Sequence, residues 1–335
     1  MIKLLSAAQN HRPIFVVMAV FTGAILSTLF VRMFSISLAD LRGVFGLDVA
    51  QGSWLNVALN IAQLISMTLV PWFMVVYGAE KILISASFIL FCCGLAVPII
   101  GQQIGFGGLF IAHFMIGFCI GVYLPMTISL ALKSLNPSVW LIVMAAYSLR
   151  VSVGMDAGVG ISGEFVEILN WRWIYWLSAI FTLVILFFTW WGMPLSPINK
   201  SLLAQSDWGG MALKCLGLTL LYIGVVQGEL LGWWDSGLVV SCLIGSAILM
   251  GTFIIRAYIY KQSFGHLNWI KDSNLRLCFI IACLYGFLML PNSLFIPSFL
   301  SVVGGLKPLQ IGQVTNLAFF IYLLCSPIAI FLARR

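Results

Sequence analysis

Apolar residues run along this chain in long unbroken stretches, without the one-faced or alternating patterns of a water-soluble fold. A helix needs about 20 consecutive apolar residues to cross the hydrocarbon core of a bilayer. Ten stretches meet that length, at residues 14–37, 53–77, 82–100, 108–132, 139–162, 172–193, 209–230, 237–259, 277–302 and 310–332. The connections at 78–81 and 133–138 are so short that the spans on either side must form antiparallel hairpins. Polar residues gather in two longer connections. Residues 194–207 separate the sixth and seventh spans. Residues 260–276, with Lys261, Trp269, Ile270, Lys271 and Arg276, have the composition of an amphipathic segment lying on the membrane surface. The chain therefore divides into a six-helix transmembrane bundle at 1–195, two linker transmembrane helices at 196–262, and two further spans at 263–335. The predicted fold class is an all-α polytopic membrane protein.

Composition agrees. The 335 residues are 62% hydrophobic and 8% charged, against about 25% charged in soluble domains. The net charge of +7 is not a nucleic-acid signature, because no Lys/Arg cluster or RNA-binding motif accompanies it. Its distribution sets a topology instead. With the N-terminus inside, eleven basic residues fall on inner segments: Lys3, Arg12, Lys81, Lys133, Lys200, Arg256, Lys261, Lys271, Arg276, Arg334 and Arg335. Three fall outside, Arg42, Arg172 and Lys307. This positive-inside bias predicts a multi-pass inner-membrane protein with both termini cytoplasmic. The first apolar run is too long for the h-region of a cleavable signal and is expected to persist as the first span.

Enzyme chemistry finds no support. His11, His113 and His266 are scattered, and no HExxH, GxSxG or Walker pattern occurs. The eight cysteines all lie in apolar runs, without metal-ligand spacing, and read as small core hydrophobes. No cofactor and no metal site is expected. No ATP-binding motif is present.

The informative polar residues are those inside spans, because burying charge in hydrocarbon is costly and usually functional. Arg32 lies in the first span, His113 in the fourth, and Arg150 and Asp156 in the fifth. Arg32, His113 and Asp156 each fall five or six residues from the outer end of their span, which places all three roughly 8 Å below the outer boundary. They are expected to converge, with Asp156 paired to at least one arginine. Each has a plainer alternative: Arg32 can snorkel, His113 can be a neutral packing residue, and Asp156 can serve in a structural ion pair. Asn56, Asn60 and Gln63 share one face of the second span by their 4,3 spacing. Tyr123 and Tyr147 are candidate cavity aromatics. Asp207 and Lys214, near the inner end of the seventh span, are expected to snorkel.

Several motifs in order resemble the fourteen-helix drug:proton antiporters of the major facilitator superfamily. Gln51-Gly52-Ser53-Trp54 opens the second span. Gly117, Gly121 and Pro125 match the G-x3-G-x3-P skeleton of the fourth. Gly154, Gly158, Ser162 and Gly163 follow the spacing of the fifth-span antiporter motif, and Trp171-Arg172-Trp173-Ile174 matches the start of the sixth. Asp207, Gly210, Gly228 and Trp234-Asp235-Ser236 match the two extra central helices, and Phe295-Ile296-Pro297 with Ser326-Pro327 the start of the C-terminal half. Apart from the family, Gly154, Gly158 and Ser162 recur every four residues, a small-residue stripe that lets another helix backbone approach closely.

The resemblance implies secondary active transport: proton-coupled efflux of small amphipathic compounds, from a cavity between two bundles near the midplane. It also implies lipid and proton partners and an adjacent periplasmic adaptor protein. The net-positive set Arg32, Arg150 and Asp156 points to lipophilic acids, with His113 as proton carrier and Asp156 as its competitor. The departures are specific. The loop after the second span has Pro71, Val75, Val76, Gly78 and Lys81 where relatives have G-x-x-x-D-R-x-G-R, so the usual cytoplasmic gate is not expected there. Phe30, His113, Met155 and Val159 stand at positions usually occupied by aspartate, arginine and two prolines. The family fold also requires four more helices than ten, so the chain is expected to be truncated, the alternative being that the remaining helices come from elsewhere; a non-transporting remnant is the alternative function.

Overall fold

The computed structural model describes residues 12–204, 206–259, 272–291 and 295–333, and the regular structure among them is all helical, with no strand. The helices are α1 (Pro13–Ile36), α2 (Leu38–Phe45), α3 (Val49–Tyr77), α4 (Ala79–Ile100), α5 (Gly105–Ser134), α6 (Pro137–Ile168) and α7 (Trp173–Gly192). They continue with α8 (Lys200–Ala204), α9 (Trp208–Leu231), α10 (Gly237–Ile259), α11 (Ser273–Leu290), α12 (Ile296–Val302) and α13 (Pro308–Ala333). Nine helices among the described residues are long and apolar enough to cross a membrane. The predicted span 277–302 takes in α11 and α12; residues 292–294 lie outside the described residues, and Pro291 and Phe295 on either side of them have helical backbone. So do residues 1–11, which carry Lys3, and 260–271, most of the predicted amphipathic segment.

Local chemistry fixes the ends of these helices. Asp48 accepts from the Gln51 backbone while the Gln51 side chain accepts from the Asp48 backbone, a reciprocal cap that starts α3. Gly78 has φ +94°, which lets a single residue turn the chain from α3 into α4. The short helix α2 leaves no span-like signal in the sequence, because Asp40 and Arg42 interrupt its apolar pattern.

The chain to Ile198 together with the stretch from Leu306 forms one compact unit, and Asn199–Gly305 forms another. The segment expected to begin a second bundle is thus shared between them, with α13 in the first unit. In that unit α1 is central. Its Phe30, Phe34, Met33 and Leu26 are fully enclosed. The packing directions are consistent with alternate crossings. Thr127 of α5 donates to the Val20 carbonyl while His113 stacks near Phe34, so α1 and α5 run antiparallel. Gly154 meets Thr28 and Gly158 meets Arg32, so α1 and α6 run parallel. Gly163 meets Leu309, Gly160 meets Asn316, and Tyr322 donates to Ser148, so α6 and α13 run antiparallel.

Glycines sit where backbones approach most closely. A side chain at Gly117 would collide with the Leu59 carbonyl of α3, and one at Gly121 would meet the Gln63 carbonyl at 2.6 Å. Pro125, one turn further on, lies inside α5 and removes one backbone donor there. In the second unit, Gly217 and Gly224 of α9 admit Met250 and Leu243 of α10. Asp207 caps α9 through the Gly210 N–H and binds Arg256 at 2.8 Å, so it is paired rather than snorkelling. Lys214 lies 5.9 Å from the Phe253 ring.

Gly117→Ala forces α5 away from the Leu59 carbonyl and is expected to destabilise the bundle by about 1–3 kcal/mol. Gly251→Ala adds a methyl where nothing lies within 4 Å and should be neutral or stabilising. Thermal unfolding of both variants in the same detergent checks the contrast.

Candidate functional site

The fifth span is not a uniform α-helix. Between Val153 and Ala157 it widens into a π-turn, in which the Gly158 N–H donates to the Val153 carbonyl five residues back. Such turns insert one extra residue and often mark functional positions. Asp156 lies in this turn, 5% exposed, and its Oδ2 accepts from Ser152 Oγ at 2.6 Å. Arg32 of α1, 8% exposed, interacts electrostatically with it. The small-residue stripe makes the approach possible. Gly154 lies against Thr28, Gly158 against the Arg32 stem, and Ser162 is 2.5 Å from the Ser37 hydroxyl. All three therefore face α1.

Gly163 faces elsewhere. A side chain there would meet the Leu309 backbone of α13, and Gly160 and Gly312 pack backbone to backbone beside it. Thr315 of α13 donates to the Asp156 carbonyl at 3.0 Å. The residue that carries the buried carboxylate thus has its side chain directed to α1 and its carbonyl held by α13. The Glu167 carboxylate accepts from the Leu309 N–H at 2.9 Å and ties the ends of the same two helices. Asp40, on α2 outside the spans, has its carboxyl held above the usual range by burial, with the Glu167 charge adding to the effect.

Arg150 lies on the same side of α6. It donates to Thr28 Oγ1 at 2.9 Å and stacks 4.4 Å from the centre of the Tyr147 ring. Thr28 and Arg32 are one turn apart on α1, so two cations and one carboxylate line the α1–α6 seam. From α3, Gln63 reaches across to donate to Ser27 at 3.3 Å, whereas Asn60 donates back to Asn56 within its own helix at 2.8 Å.

His113 does not join this group. The Leu109 carbonyl can only accept, so Nδ1–H donates to it at 2.7 Å. In the neutral ring Nε2 then accepts from the Tyr175 hydroxyl at 2.9 Å. Phe34 covers the ring at 4.8 Å, and His113 is fully enclosed. Phe34 and Arg32 are two residues apart on α1, hence at nearly the same depth but about 200° apart around the helix axis. The expected convergence of His113 with Asp156 therefore does not occur, because counting residues fixes depth and carries no information about azimuth. Tyr123 is likewise enclosed, bonded to Ser87 at 3.0 Å and packed on Gly23, so it lines no open path.

Three contributors escape sequence reasoning. Thr315 and Gly312 have no ionisable group to draw notice. Glu80 is 3% exposed and accepts from the Ser196 N–H at 2.5 Å, while Lys81 donates to the Ser196 carbonyl at 2.6 Å. The loop that lacks the usual gate residues therefore clasps the segment after α7 with its own acid and base. The signal is present in the sequence, as an adjacent acid and base in a turn with few other charges.

Nine span-length apolar helices among the described residues, with ionisable residues buried at a glycine-lined seam, make this a multi-pass membrane protein. The sequence profile of the Major Facilitator Superfamily matches residues 20–335, and the chain belongs to that superfamily. It is 21% identical over 244 residues, 72% of its length and 46% of the relative's, to the fatty acid resistance protein FarB of Neisseria gonorrhoeae. It is 21% identical over 254 residues to the multidrug export protein EmrB of Escherichia coli K12, covering 75% of the chain and 47% of the relative. Identity to the lincomycin resistance protein LmrB of Bacillus subtilis is 25% over 288 residues, 83% of the chain and 58% of the relative. The chain spans about half the length of these curated relatives.

Tyr175→Phe removes the hydroxyl that meets His113 Nε2 and leaves a buried ring nitrogen without its partner. The expected loss is about 1–3 kcal/mol of stability, read by thermal unfolding.

Proposed function

We propose that this protein is a secondary active transporter that exports small amphipathic compounds in exchange for protons, with Asp156 as the proton-carrying group. The observation that carries this reading is the Asp156 carboxylate, buried in a π-turn, set against Arg32 of α1 and tied through its carbonyl to α13. Exchange requires that substrate and proton occupy the seam alternately, so Asp156 gives up its proton as substrate binds and regains it once substrate has left. His113, closed off behind Phe34 and Tyr175, is the weaker carrier.

Two guanidinium groups against one carboxylate make the seam net positive, and low-dielectric walls strengthen its attraction for anions. Lipophilic or aromatic acids are thus the proposed substrates, a preference also supported by the fatty-acid resistance named for one relative. The Lys/Arg distribution supports cytoplasmic termini and an inner-membrane location. A periplasmic adaptor is the partner proposed by analogy with the superfamily's efflux branch.

The test is pH-driven flux in proteoliposomes, comparing an aromatic acid with a quaternary amine. The acid should be moved selectively, Asp156→Asn should abolish the response to the pH gradient, and His113→Gln should retain it. Selective movement of the amine, or an unchanged gradient response in Asp156→Asn, contradicts the proposal. Absence of any flux in the unaltered chain favours a non-transporting remnant.

A further inference from the structure

A cavity lies away from the charged seam, among α3, α4 and α5. Its volume is about 380 Å³, within the range of small-ligand pockets, about 300–1,000 Å³. Val70, Ala86, Cys119 and Val122 form its closed floor, each nearly inaccessible, and Phe73 and Phe118 form walls. The mouth is at Ser85 and Ile89 of α4, both exposed, beside Phe88, which is 59% exposed.

The chemistry of the lining restricts the occupant. Ser85 Oγ already donates to the Ile82 carbonyl at 3.1 Å within its own helix, so its donor is engaged. Apart from that hydroxyl, the Tyr77 hydroxyl and the Cys119 thiol, the lining side chains are hydrocarbon. A polar or charged ligand would lose its hydrogen bonds on entering, whereas a hydrocarbon chain loses none and gains dispersion contacts with the recess. The depth restricts it further. Residues 82–89 lie about 5–15 Å along α4 from its start at Ala79, at 1.5 Å per residue. That start is marked by the polar clasp of Glu80 and Lys81 on Ser196. The cavity therefore occupies one leaflet, whose hydrocarbon is about 15 Å thick, half of the bilayer core. Its mouth opens among lipid-facing apolar residues, so the phase that reaches it is lipid tails.

We propose that this recess between α3, α4 and α5 binds a single acyl chain of a bilayer phospholipid. It is a lateral lipid site, separate from the Arg32–Asp156 seam and independent of whether the protein transports anything.

The test uses the full chain in nanodiscs containing phosphatidylcholine with a diazirine midway along one acyl chain, and in parallel a free fatty acid bearing the same group. After irradiation, adducts are mapped by mass spectrometry. The phospholipid probe should label Phe73, Ala86, Phe118 or Val122 several-fold above Phe187 and Trp190, which are simply exposed on α7. Ala86→Phe and Val122→Phe fill the recess and should lower that labelling to the level of Trp190, with thermal unfolding confirming that each variant is folded. Labelling of the cavity residues no stronger than that of Trp190 in the unaltered protein overturns the proposal. So does unchanged labelling in a folded filled variant. Labelling by the free acid alone overturns the phospholipid as the occupant.

Discussion

A charge placed in hydrocarbon is costly unless compensated, and in this protein Arg32 of α1 and Asp156 of α6 are both buried and brought within electrostatic reach of each other. Much of the surrounding geometry serves that meeting. The Arg32 stem can lie along α6 because Gly158 has no side chain, and Gly154 makes room for Thr28 one turn away. Thr28 in turn holds Arg150. The π-turn from Val153 to Ala157 shifts Asp156 relative to a regular helix while keeping the small-residue stripe on α1. Breaking either charge from its partner leaves the other buried, which is far more destabilising than the pair itself is stabilising.

The same helix is held on its other side by α13. Gly160, Gly163 and Gly312 bring the two backbones together, and Thr315 and Glu167 add hydrogen bonds from opposite ends of the contact. A helix packed through glycines on two faces has few interlocking side chains to resist sliding. At the far end of the bundle, the Glu80–Lys81 clasp on Ser196 joins the α3–α4 turn to the end of α7.

Most of the fold is legible in the sequence because the signal for a span is length and apolarity, and neither depends on tertiary contacts. The stripe Gly154, Gly158 and Ser162 is legible for the same reason, since helical periodicity alone puts those residues on one face. Its partner, α1, is not, because periodicity does not say what a face meets. The site is only half legible. The depth of Arg32, Asp156 and His113 follows from counting residues, but the direction each faces depends on how α1 is rotated in the bundle. That rotation is set by Phe30 and Phe34 packing towards Tyr175 and His113. Thr315 and Gly312 stay invisible because their roles lie in backbone contacts.

The central claim is that Arg32 and Asp156 act as one unit. A double-mutant cycle with Arg32→Gln, Asp156→Asn and the combined variant, read as unfolding free energy in a single detergent, tests it most directly. The two single changes should each destabilise the protein, and the combined change should cost less than their sum, with a coupling of about 0.5–3 kcal/mol. Additive effects within error would mean that the two residues do not meet in energy, and the account of the seam would fail.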